Sequence, residues 1–233
     1  MTHVFFTRLA LRAGAIASGR GTRHLNHIRR YVDLWHDASS VFYTHQTVEA
    51  GFRVVLFYDA LYAEAVHARP LPHWAEAFCG FYPAWLARHT ELAGKPVYLT
   101  RLDADDSYSI DFFEALASLK LQQHTLILHK RFKQYDLRTD KLTNQLRHPS
   151  PHFATVYFPE FPQFGPDTAD AFTGVFGDHT RYSARAHVEA PGCLALERIT
   201  GFNVDNQFMK VWGTKRDVGV SAALDPKFVG YHP

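Results

Sequence analysis

Four short apolar runs separated by helix-patterned segments constrain the fold of this chain more than any other feature. They are Val4-Phe5-Phe6, Phe52 to Tyr58, Val97 to Leu102 and Thr125 to Leu128. Runs that are mostly apolar, rather than apolar only at alternate positions, suit strands covered on both faces. Between them, His24 to Ala38 carries Leu25, Ile28, Val32 and Trp35 at spacings of three and four, the signature of a helix with one apolar side. Pro70 and Pro72 punctuate the next connection. His73 to Leu92 reads as helical and broken by Gly80 and Pro83, and Ser109 to Leu121 reads as a helix with Ile110, Phe113, Leu116 and Ala117 on one side. This alternation predicts an α/β fold with a Rossmann-like, mainly parallel sheet flanked by helices. Beyond about His148 the pattern weakens into loops punctuated by Pro and Gly. The length fits one domain over 1–233 with a loop-rich C-terminal portion.

A net charge of +2 with dispersed basic residues gives no nucleic-acid footprint. Cys79 and Cys193 have neither metal-type spacing nor the density of a disulfide scaffold, which points to free thiols in a reducing compartment. Arg8 and Arg12 interrupt the apolar opening before a signal-peptide core or membrane span can form. A cytoplasmic protein is expected, able to act at a membrane surface without crossing it.

The third apolar run ends in Asp103, Asp105 and Asp106. Carboxylates this close resist ionisation unless a cation or several donors neutralise them. In an open parallel sheet ligands bind beyond the carboxyl ends of the strands, and Asp103 falls where its strand should stop. Oxygen ligands there suit Mg²⁺ or Mn²⁺, held by Asp105 with Asp103 or Asp106 assisting directly or through water, and bridging the phosphates of a nucleotide diphosphate. Two other readings compete. Asp105, Asp106 or Ser107 can cap the following helix. Counted from Asp103, the residues Asp105, Ser107, Ser109, Asp111 and Glu114 fall on the ligand positions of a calcium-binding EF-hand loop. Against the second, Tyr108 stands where that loop needs Gly, and a strand precedes it where a helix should.

The segment Arg101-Leu102-Asp103-Ala104-Asp105-Asp106, followed by Phe112-Phe113-Glu114-Ala115-Leu116, resembles the Asp-x-Asp region of glycosyltransferases with the GT-A fold. Phe6-Thr7-Arg8-Leu9, Gln46 with Phe52 to Asp59, and Gly201-Phe202-Asn203-Val204 narrow the resemblance to a bacterial rhamnosyltransferase family. The resemblance implies a nucleotide-diphosphate sugar donor bound by residues 1–130, a Mn²⁺ or Mg²⁺ cofactor, and a glycan or lipid-linked acceptor met by the loop-rich acceptor region, residues 131–233. It places Thr7 and Arg8 near the nucleotide, Asp59 near its base or ribose, and Asp103, Asp105 and Asp106 around ribose, diphosphate and metal. It also implies a base, for which Asp178 is the first choice, with Glu160, Asp170 and Glu197 as rivals. His179 would touch metal or diphosphate. Arg101 adjoins a strand end and is a further candidate for binding the donor. Every other histidine, His24, His27, His124 and His129 included, reads as solvated or hydrogen-bonded.

The activity expected is metal-dependent, inverting transfer of a hexose or deoxyhexose such as rhamnose. A nucleotidyltransferase acting on sugar phosphates is the enzymatic alternative, but it calls for a Lys in a Gly-rich phosphate loop, and the Gly14 to Gly21 loop has none. A calcium- or glycan-binding module without catalysis is the other.

Overall fold

The structure is a computed structural model that describes residues 2–10, 24–148, 152–165, 185–199, 220–221 and 225–228. The first strand, β1 (Thr2–Ala10), lies at the centre and shows why an unbroken apolar run was required. Phe5 and Leu9 pack on one face against Ile28 and Val32 of α1 (His24–Leu34), whereas Val4 and Phe6 pack on the other against Tyr82, Trp85 and Leu86 of α4 (Tyr82–Arg88). Each large apolar side chain taken fully out of water contributes roughly 1.5–3 kcal/mol, so a strand buried twice over is held strongly. After α1 the chain widens into one π-helical turn at Trp35–Ser39, with Ser40 N–H donating to the Trp35 carbonyl at 2.7 Å, and then forms α2 (Val41–Thr44).

Beside β1 lies β2 (Gly51–Tyr58), followed by a 3₁₀ turn at Ala60–Tyr62 and α3 (Ala63–Val66). Next comes β3 (Ala75–Cys79), which corrects the expectation of helix from residue 73. Ala75-Glu76-Ala77 has the composition of a helix, but parallel pairing with β2 from Val54↔Ala75 to Tyr58↔Cys79 overrides that preference. Gly80, at φ 136°, then ends the strand in a conformation that suits Gly, and Pro83 occupies the first turn of α4, where a missing N–H costs nothing.

On the other side of β1 runs β4 (Val97–Asp103), also parallel. After β5 (Ser107–Tyr108) and α5 (Phe112–Ser118) come β6 (Thr125–Leu128), β7 (Arg131–Asp136), β8 (Lys141–Thr143) and β9 (Leu146–Arg147). They are followed by β10 (Ala154–Phe158), β11 (Val188–Glu189), β12 (Ala195–Ile199) and β13 (Val220–Ser221).

The molecule is therefore α/β, built on a mixed seven-stranded sheet ordered β11-β6-β10-β4-β1-β2-β3 and flanked by helices. Only β10 runs against its neighbours. A second sheet, β13-β8-β7-β12-β5 with β9 paired to β7, packs a smaller cluster of Tyr135, Leu142, Leu196 and Phe228. The region expected to be mostly loop thus supplies strands to both sheets. The second sheet takes β5 from the first half of the chain, and the first sheet takes β10 and β11 from the second. Both cysteines are free thiols, and among the described residues no helix is long and apolar enough to cross a membrane.

Candidate functional site

The chain winds outward from β1 to β2 and β3, then crosses back to place β4 on the opposite side of β1. A reversal of this kind falls at the carboxyl ends of β1 and β4, the usual ligand position in open α/β sheets. Parallel pairing sets Arg8 directly across from Asp103 at that edge. Arg8 Nη2 donates to both Asp103 carboxylate oxygens at 2.9 Å and its Nε donates to Oδ1 at 3.1 Å. Arg101 Nη2 lies 3.6 Å from Asp103 Oδ2 with its side chain almost wholly buried.

Asp106 is drawn in by a different part of the chain. Because β10 runs antiparallel to β4, its amino end reaches the same sheet edge, and His152, two residues ahead of it, sets Nε2 3.0 Å from Asp106 Oδ2. The backbone N–H of Arg198, on β12, donates to Asp106 Oδ1 at 3.1 Å. Its fully buried guanidinium reaches Ser39 Oγ at 3.3 Å and the Asp105 carbonyl at 3.2 Å. The adjacent Glu197, also buried, accepts from Gln134 Nε2 at 2.7 Å.

Charge at this edge is tightly coupled. Burial opposes ionisation of Asp103, but Arg8, Arg101 and His152 outweigh it and hold the carboxyl well below the usual range. Asp105 is pushed well up by burial and then by Asp106 and Asp103. Burial also raises Asp106, with its His152 hydrogen bond only partly compensating, and raises Glu197. For His152 burial works downward, yet its hydrogen bond to Asp106, the charge of Asp106 and those of Glu197 and Asp103 lift it to about 9. Tyr31 on α1 stays protonated, raised by burial and then by Asp105, Asp103 and Asp106.

The donor set fits a divalent cation. One carboxylate oxygen each from Asp103 and Asp106 and one imidazole nitrogen of His152 lie within 4.8 Å of one another. Two oxygens and a nitrogen suit Mn²⁺ well and tolerate Mg²⁺. The raised carboxyls of Asp105 and Asp106 show that this edge would gain from a further positive charge.

Arg8, Arg101, Asp103 and Asp106 are thus brought together. Asp105 is buried beside them, yet its carboxylate is not part of the three-residue donor set. Thr7 is fully buried one position before Arg8, and Asp59 follows β2, where its carbonyl accepts from Tyr62 N–H and starts the 3₁₀ turn. Asp178, His179 and Asp170 lie outside the described residues. Glu160 follows the far end of β10, where Phe158 pairs with Val97, so it sits at the opposite sheet edge. An EF-hand is not formed: β4 leads into the loop, Asp111 pairs with Lys227 Nζ at 2.6 Å, and Glu114 accepts from Thr47 Oγ1 at 3.0 Å.

His152 and Arg198 join the site against the expectation that every histidine but His179 is solvated or merely hydrogen-bonded, and the local signal for His152 is the strand-like run Ala154-Thr155-Val156-Tyr157-Phe158 just after it. Its β-branched and aromatic residues mark a strand whose start falls next to the histidine. Neither a scan of protein-family models nor a search of curated proteins gives a match.

Proposed function

We propose that this chain is a glycosyltransferase that moves a hexose or deoxyhexose from a nucleotide-diphosphate sugar to a hydroxyl of a glycan or lipid-linked acceptor, assisted by Mn²⁺ or Mg²⁺. One observation carries the reading: basic, acidic and imidazole groups converge at the point where the strand order reverses, the position from which open sheets bind nucleotides. Its sheet, with a reversed β10 beside β4, is compatible with the GT-A fold that the Asp-x-Asp segment resembles.

In this reading Asp103, Asp106 and His152 hold the cation, which when bound offsets charge on the departing diphosphate. Arg8 and Arg101 face the same phosphates. The bond from the anomeric carbon to phosphate breaks, a bond from that carbon to the acceptor oxygen forms, and the hydroxyl proton passes to a carboxylate. Among the described residues Glu197 suits that last task. It is fixed by Gln134, and burial raises its carboxyl above the usual range, which makes it the better proton acceptor. Asp178 retains its candidacy from the sequence.

Incubation with uridine, guanosine and thymidine diphosphate sugars and Mn²⁺ tests the proposal. Release of nucleoside diphosphate, lost in Asp106→Asn and His152→Gln variants that still fold, supports it. Release of pyrophosphate from a nucleoside triphosphate supplied with a sugar phosphate would identify a nucleotidyltransferase instead. No nucleotide binding at any donor, with tight Ca²⁺ binding, would exclude both enzymes.

A further inference from the structure

The fork from Arg8 to Asp103 occupies both oxygens of a carboxylate that also belongs to the donor set for the cation. A guanidinium and a divalent ion cannot both use those lone pairs to the full, because each demands the same negative charge at close range. The two arginines around Asp103 differ in exposure. Arg101 has 3% of its side chain exposed, whereas Arg8 has 37% exposed and so meets solvent and any arriving anion.

We infer that Arg8 is an exchangeable latch on the metal site, paired with Asp103 until the donor arrives and then transferred to its anionic diphosphate, which frees Asp103 for the ion. This rests on the proposed function and goes beyond it by giving the site an order of events. Donor and cation become coupled through one side chain, and the cation alone meets an obstructed site. Arg101 stays as the fixed counter-charge and keeps Asp103 from being left bare during the exchange.

The latch predicts effects of opposite sign on two ligands, which simple damage to the site does not produce. In Arg8→Gln, Mn²⁺ alone should bind about tenfold tighter than in the parent, the scale of one strong charge-assisted pair released. Inorganic pyrophosphate, measured in EDTA, should bind more weakly than in the parent. Calorimetry reads both, and electron paramagnetic resonance counts free Mn²⁺. Arg8→Lys, which keeps the charge but loses the fork, should fall between parent and Arg8→Gln for Mn²⁺ and serves if the glutamine variant fails to fold. Equal Mn²⁺ affinity in parent and variants, or weakening of both ligands together, overturns the latch while leaving the metal site standing. Absence of Mn²⁺ binding in parent and variants alike overturns the latch and the metal site with it.

Discussion

Replacing Asp106 with Asn isolates the electrostatic coupling on which the site depends. The substitution keeps the shape of the side chain and leaves an oxygen to accept from the Arg198 N–H, but it removes the charge facing His152 Nε2 at 3.0 Å. In the parent, His152 rises from 6.5 to about 9 even though burial drives it down. The 2.5-unit rise corresponds to about 3 kcal/mol in favour of the imidazolium, at 1.36 kcal/mol per unit. Both partners are largely shielded, with 20% and 3% of their side chains exposed, so solvent screening removes little of it. In Asp106→Asn the leading upward influences vanish and burial remains, with Glu197 and Asp103 opposing it weakly. His152 should drop by two units or more. Long-range ¹H–¹⁵N correlation of the imidazole nitrogens, in EDTA between pH 5 and 10, follows this directly. The sign for stability is equally defined. A pKa raised on folding gives stabilisation that is complete below pH 6.5 and lost as pH climbs through 9, so urea midpoints of the parent should decline across that window more steeply than those of the variant. A parent His152 titrating near 6.5, or one unmoved by the substitution, would refute the coupling.

Trp85→Ala removes a fully buried ring that packs on Phe6 and donates to Glu76 Oε1 at 2.6 Å, and should cost about 3–5 kcal/mol by chemical denaturation. His129, buried with Nε2 2.9 Å from Thr155 Oγ1, is lowered by burial to about 3, so the unfolded chain takes up a proton that the folded one refuses. Stability should therefore fall as pH decreases from 6.5 toward 3, and His129→Asn should shallow that slope in urea titrations. Cys79 is exposed, whereas Cys193 is part-buried and pushed by burial up to about 12; a thiol-reactive chromophore should label one cysteine quickly in the native protein and the second only on unfolding.

How far the sequence discloses this arrangement depends on how local each determinant is. The strands β1, β2, β4 and β6 were legible because burial on both faces forces continuous apolar runs, a pattern no exposed segment needs. The edge strand β3 was not, since Ala75, Glu76 and Ala77 favour helix and only the pairing with β2 makes them extended. The carboxylates and Arg8 were readable for the same local reason, each standing at the end of a recognisable strand, and parallel pairing then brings Arg8 and Asp103 into register. The contacts of Asp106 with His152 and Arg198 span 46 and 92 residues, and nothing in the intervening composition encodes them. Three clustered carboxylates disclose a need for neutralisation without naming the neutraliser. Here the fold supplies guanidinium to Asp103 and imidazole to Asp106, and leaves Asp105 raised and buried between them. The reversal of β10 is what makes the difference. Had that strand run parallel to β4, its start would lie at the opposite edge, His152 would leave with it, and Asp106 would keep only a backbone N–H.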